Sequence, residues 1–142
     1  VYIQIKLLLS SMKKIFILIV LILISLPAMA KQRIYAEKVY QTQWCNQHNG
    51  TMEYVITSKS GVKRRVDCLT DTMAVEFDYA NKWHECLGQA IDYGTYTKRQ
   101  GACILIVEKT KDDRYVRLLR QTIQKKNLDI RTRTMKPAQI KL

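Results

Sequence analysis

The chain has 142 residues, with 24 Lys+Arg against 12 Asp+Glu and a net charge of +12. That length allows one small domain with a single core, and the charge suits an anionic partner: nucleic acid, a lipid surface or an acidic polysaccharide. Four cysteines without a C-x-x-C spacing give little support to a zinc site or a thioredoxin-like redox site.

The first thirty residues read as a leader. Met12-Lys13-Lys14 opens a short basic region, residues 15–26 are almost uninterrupted apolar, and Pro27-Ala28-Met29-Ala30 supplies small residues before Lys31. This is the pattern of a secretory signal peptide. Residues 1–11 read as an upstream extension, with Met12 the more natural start. The apolar run is shorter than the roughly 20 residues of a membrane-spanning helix. The expectation is an exported protein, periplasmic or secreted, with residues 31–142 as its single domain and no stable membrane span after cleavage. Lys6, Lys13 and Lys14 fall in the leader, so the domain keeps 21 basic and 12 acidic groups, a net +9. Cys45, Cys68, Cys86 and Cys103 all lie in the domain, and an even number in an exported protein predicts disulfides. Of the three pairings, Cys45 with Cys68 and Cys86 with Cys103 is preferred because each joins adjacent elements.

Residues 34–49 are predicted helical, with Tyr40 and Trp44 four apart and Gly50 as the terminating glycine. Residues 51–58 and 62–69 are β-rich runs joined by Lys59-Ser60-Gly61, a hairpin signal. Residues 73–77 make a third short strand. A helix over 79–93 follows, closed by Gly94; Gly88 inside it costs roughly 1 kcal/mol against alanine and marks close approach of another backbone. Residues 95–101 read as a polar loop and 102–107, continuously apolar, as a buried strand. Thr110 with Asp113 resembles a capping box for a helix ending near Lys126, whose apolar face is Val116, Leu119 and Ile123. Residues 128–134 are a last strand and 135–142 a basic tail. The order α-β-β-β-α-β-α-β predicts an α/β protein, a mixed central sheet with helices on its faces.

The chemistry concentrates between Arg65 and Tyr93. Alternation puts Glu76 on the strand face of Ala74, opposite Val75 and Phe77, and lets Asp67 share it. Two carboxylates converging from adjacent strands make a hard-oxygen site for Mg²⁺ or Mn²⁺, an ion that can activate a phosphodiester toward water. The plainer reading is a solvated sheet face with the acids paired to Arg65 or Lys63. Behind them Lys82, Cys86, Gln89 and Tyr93 recur at helical spacing, giving one face a cation, an amide and a phenol.

Val66-Asp67, Glu76-Phe77-Asp78 and Gln89-x-x-x-Tyr93, in this element order, resemble the PD-(D/E)XK nuclease superfamily, especially its RecB-like branch with a Q-x-x-x-Y helix. The likeness spans residues 34–107 and implies a restriction-endonuclease-like core, a Mg²⁺-dependent reaction and a nucleic-acid partner. It implies that Asp67 and Glu76 ligate the metal, with the Phe77 carbonyl as a further oxygen, and that Gln89 and Tyr93 support the site or the strand. A first-helix acid is also common in that family, for which Glu37 is a candidate, and Glu53 on the first strand is another. The departure is Asp78, where the family carries lysine. Asp78 suits a helix N-cap, and Lys82, one turn on, either replaces the missing lysine or pairs with Asp78. A third metal ligand at Asp78 is the remaining option.

Trp44 and Trp83 are expected in or near the core, His48 and His84 in loop and helix-surface roles. Arg114, Arg117, Arg120 and Lys125 form a basic helix edge, continued by Arg131, Arg133 and Lys136. The leading expectation is an exported metal-dependent nuclease. Its alternatives are a catalytically silent nuclease fold that binds nucleic acid or a partner, and a disulfide-stabilised envelope interaction protein.

Overall fold

A five-stranded sheet, ordered as in the chain, carries one helix on one face and two on the other. A computed structural model describes residues 32–141 together with Met12 and Phe16; the rest of the predicted leader lies outside the described residues. The elements are α1 (Glu37–Gln47), β1 (Thr51–Thr57), β2 (Lys63–Leu69), β3 (Met73–Tyr79), α2 (Trp83–Thr97), β4 (Gln100–Ile106), α3 (Asp113–Lys126) and β5 (Ile130–Met135). Short 3-10 turns at Ala80–Lys82, Thr110–Asp112 and Pro137–Gln139 lead into α2, into α3 and out of β5. β1, β2 and β3 pair antiparallel, then β4 and β5 add parallel. The helical crossovers α2 and α3 supply the long connections that parallel pairing needs.

Two cores follow from this layering. On one face Tyr40 and Trp44 of α1 pack on Val75, Phe77, Ile104, Ile106 and Met135, with Trp44 edge-on to Phe77 at 5.7 Å between ring centroids. On the other, Cys86, Leu87 and Ala90 of α2 and Val116 and Leu119 of α3 cover Cys103, Leu105 and Val107. β4 is buried from Gly101 to Ile106, as expected of a strand covered on both faces. Each large apolar side chain so buried contributes about 1.5–3 kcal/mol. Both disulfides join a helix to the sheet: Cys45 of α1 to Cys68 of β2, and Cys86 of α2 to Cys103 of β4. Among the described residues no helix is long and apolar enough to cross a membrane.

Several local expectations are corrected. α1 begins at Glu37 rather than residue 34, because Glu108 holds the preceding chain: its Oε1 accepts the Ile34 N–H at 2.8 Å and the Tyr35 N–H at 3.4 Å. Gly50 is not the left-handed residue behind α1; that is Asn49, at φ 50°. A Cβ on Gly50 would strike both sulfurs of the Cys45–Cys68 bridge, so the glycine makes room for the disulfide. Gly94 does not close α2, which runs to Thr97 and turns at left-handed Lys98. A Cβ on Gly94 would meet the Gly101 backbone nitrogen at 2.9 Å, so the two glycines let α2 press against β4. Gly88 has open space where its side chain would be, and no backbone approaches it. The turn before α3 is closed by Asp112, not by Thr110 with Asp113: Lys109 N–H donates to Asp112 Oδ2 at 3.1 Å. The tail turns back after β5, and Gln43 donates to the Gln139 carbonyl and accepts the Lys141 N–H, both at 2.6 Å.

Candidate active site

The site opens where β2 and β3 part. Their pairing covers Cys68 with Val75 and Leu69 with Ala74. Beyond it the Phe77 N–H donates instead to Asp67 Oδ2 at 2.9 Å. The β1–β2 register passes over Glu53 and Asp67, and Glu53 takes φ 52°, a local distortion of the ladder. Alternation breaks there: Val66 packs with Ala74 and Tyr93, while Cys68, two residues on, joins the opposite core. The distortion turns Asp67 into the gap beside Glu76. Both acids line a polar cavity of about 530 Å³ with Glu37, Asp78, Lys82, Gln89 and Tyr93.

Glu37, Asp67, Glu76 and Asp78, four of the six acids that line the cavity, repel one another. Glu76 is 5% exposed, and its Oε2 has no hydrogen-bond partner. Burial, then the Asp67 charge, pushes its carboxyl far above the ordinary range. Asp67 is also raised by burial, against the opposing pull of the Phe77 N–H. Glu37 is pushed up to about 7 by burial and then by Asp78 and Asp67. Asp78 is raised to about 6 by burial, with the Lys82 ammonium working against it. Burial is the first cause of all four shifts, and carboxyls perturbed in this way cluster at functional sites.

The helix behind the acids supplies the polar wall. The Tyr93 hydroxyl donates to Gln89 Oε1 at 2.8 Å, so the Q-x-x-x-Y pair is joined one helical turn apart. Lys82 precedes α2, with Nζ 3.7 Å from Asp78 and 3.3 Å from Glu85; the Asp78 charge holds its ammonium in the protonated form. Asp78 is not an N-cap of α2. It lies within β3 and accepts the next N–H, that of Tyr79, at 2.8 Å, while three residues of 3-10 turn separate β3 from α2. Cys86 leaves the polar face for its disulfide, its Sγ 3.6 Å from the Glu76 carbonyl.

Of the two first-acid candidates, Glu37 lines the cavity and Glu53 does not. Glu53 is ion-paired with Lys38 and lies 3.9 Å from Arg65. Glu37 Oε1 accepts from Gln41 Nε2 at 2.9 Å. Sequence reasoning missed Arg64, Glu85 and Asp92 as lining residues. Arg64 pairs with Asp92 across the β2–α2 gap; no spacing rule links the two, because they meet only after the sheet has folded. Trp44 is core and Trp83 packs at its edge, as expected. His48 stacks on Trp44 with 3.7 Å between centroids, well away from the acids.

Among the described residues no group of three or more His, Cys, Asp or Glu is arranged to hold a metal ion. Asp67 and Glu76 offer two carboxylates, a number compatible with Mg²⁺, which keeps most of its shell in water and substrate phosphate. No protein-family model, curated protein or solved structure matches the chain.

Proposed function

We propose that the protein is a Mg²⁺- or Mn²⁺-dependent phosphodiesterase acting on DNA or RNA, built on a PD-(D/E)XK-like core and exported to an oxidising compartment. The observation that carries the reading is the buried, unpartnered Glu76 Oε2 beside Asp67, in a cavity that also holds Lys82, Gln89 and Tyr93. A solvated sheet face would neither bury such a pair nor raise its proton affinity. The two disulfides support an oxidising compartment.

In this reading Asp67 and Glu76 hold the ion, and Asp67 is itself fixed by the Phe77 N–H. The ion, when bound, supplies Lewis-acid polarisation of the phosphate. Lys82 places a permanent positive charge at the cavity mouth, where it offsets charge growing on the phosphoryl oxygens. Glu37, titrating near neutrality, is the group suited to accept a proton from attacking water. Gln89, fixed by the Tyr93 hydroxyl, retains its amide N–H donors for the strand.

The test is degradation of nucleic acid by purified protein with Mg²⁺, against Asp67→Ala and Glu76→Ala. Loss of activity in both supports the assignment, and activity surviving both removes it. A second reading, a catalytically silent nuclease fold that binds nucleic acid, is favoured by Asp78 at the lysine position and by the engagement of Lys82 with Asp78 and Glu85. Salt-sensitive DNA binding without cleavage or ion binding would support it.

A further inference from the structure

Arg64 stands between two depressions. It helps line the acid cavity, where it pairs with Asp92. Its guanidinium also lies over the Tyr96 ring, 4.3 Å from the centroid. Tyr96 in turn lines a separate depression of about 270 Å³ with Tyr54, Ile56 and Arg99. Tyr54 on β1 and Tyr96 near the end of α2 are 44% and 43% exposed, large aromatic surfaces left in water. Arg64 is held by both neighbours, and its Nη1 has no acceptor.

We propose that the Tyr54–Tyr96 depression is a stacking platform for an unpaired nucleobase next to the phosphodiester in the acid cavity, which makes the substrate single-stranded nucleic acid or an unpaired end. This rests on the phosphodiesterase reading and adds the form of the substrate. Every base has a π-face, so a tyrosine platform binds strands without regard to sequence. A base within a duplex has both faces already stacked and offers an aromatic side chain nothing. Lys63, Arg64 and Arg65 of β2 line the acid cavity and give a strand backbone positive charge there. Arg64 lines the acid cavity and meets the Tyr96 ring, so the depression that Tyr96 shares with Tyr54 adjoins that cavity.

The experiment measures binding of fluorescent oligothymidylate, and of its duplex with oligoadenylate, to the metal-free protein, in which no cleavage competes. The expected result is preference for the single strand. Tyr54→Ala and Tyr96→Ala each weaken it roughly tenfold, while Tyr54→Phe and Tyr96→Phe bind as the parent does. Unchanged melting temperatures of the exposed-site variants establish that folding is not the cause. Equal affinity for duplex and single strand, or alanine variants that bind like the parent, overturns the inference. If Mg²⁺-dependent cleavage persists in that case, the phosphodiesterase reading stands without it. Absence of both binding and cleavage overturns the two together.

Discussion

Asp67 accepts the backbone N–H of Phe77, the residue directly after Glu76, at 2.9 Å. That bond replaces a missing strand pair and brings a second carboxylate beside Glu76. The sheet thus gives up ladder hydrogen bonding where it gains an acid pair. Such local disagreement between fold and stability is expected where a site is built for a ligand.

Glu76→Gln should raise the melting temperature of metal-free protein at neutral pH while abolishing Mg²⁺-dependent cleavage. The amide keeps the shape and relieves the cost of protonating, at neutral pH, a carboxyl that burial and the neighbouring Asp67, Asp78 and Glu37 hold neutral in the fold. The gain should be on the order of 1–3 kcal/mol. Thermal melts of both proteins check it; a clear loss of stability would mean that Glu76 is a paired structural acid.

The same crowding sets a pH dependence. Asp78 is raised from 3.8 to about 6 and Glu37 from 4.5 to about 7. Folded values above unfolded ones favour the protonated native state. The stabilisation is fully present below the unfolded values and is lost as pH rises through 6 and then 7. Melting of the metal-free protein should therefore fall from about pH 4 to about pH 7. Saturating Mg²⁺ should flatten the decline, since an ion offsets the charges that form.

Lys82 separates catalysis from pairing. With its Nζ near both Asp78 and Glu85, Lys82→Met should cost only a few tenths of a kcal/mol in stability. If the ammonium offsets charge in the transition state, cleavage should fall roughly 10²–10³-fold. Single-turnover rates decide this; an unchanged rate would leave Lys82 a surface ion pair.

Gly50→Ala should destabilise by about 1–3 kcal/mol through overpacking against the Cys45–Cys68 sulfurs. In a Cys45→Ala/Cys68→Ala background that penalty should largely vanish, because the obstructing atoms are gone. Equal penalties in both backgrounds would return Gly50 to a backbone role.

Much of this was legible from residue pattern. The mixed α/β class followed from apolar runs alternating with helical periodicity, and both disulfides followed from linking neighbouring elements. The Tyr93–Gln89 bond was implicit in their four-residue spacing. What escaped depends on long-range contact. Alternation could not reveal the break at Asp67, which arises from the parting of β2 and β3. Gly94 read as a stop because glycine often ends helices, but Gly101 approaches it only in the folded state. Asp78 read as a cap because the intervening 3-10 turn at Ala80–Lys82 carries no strong local signal. Glu37 and Glu53 were indistinguishable until α1 was docked on the sheet.

The most direct measurement is anomalous diffraction from crystals equilibrated with Mn²⁺ at neutral pH. The account predicts an ion between Asp67 and Glu76, ligated by both carboxylates, with Lys82 and Gln89 facing the same cavity. Well-ordered carboxyls of Asp67 and Glu76 with no ion between them at saturating Mn²⁺ would contradict it.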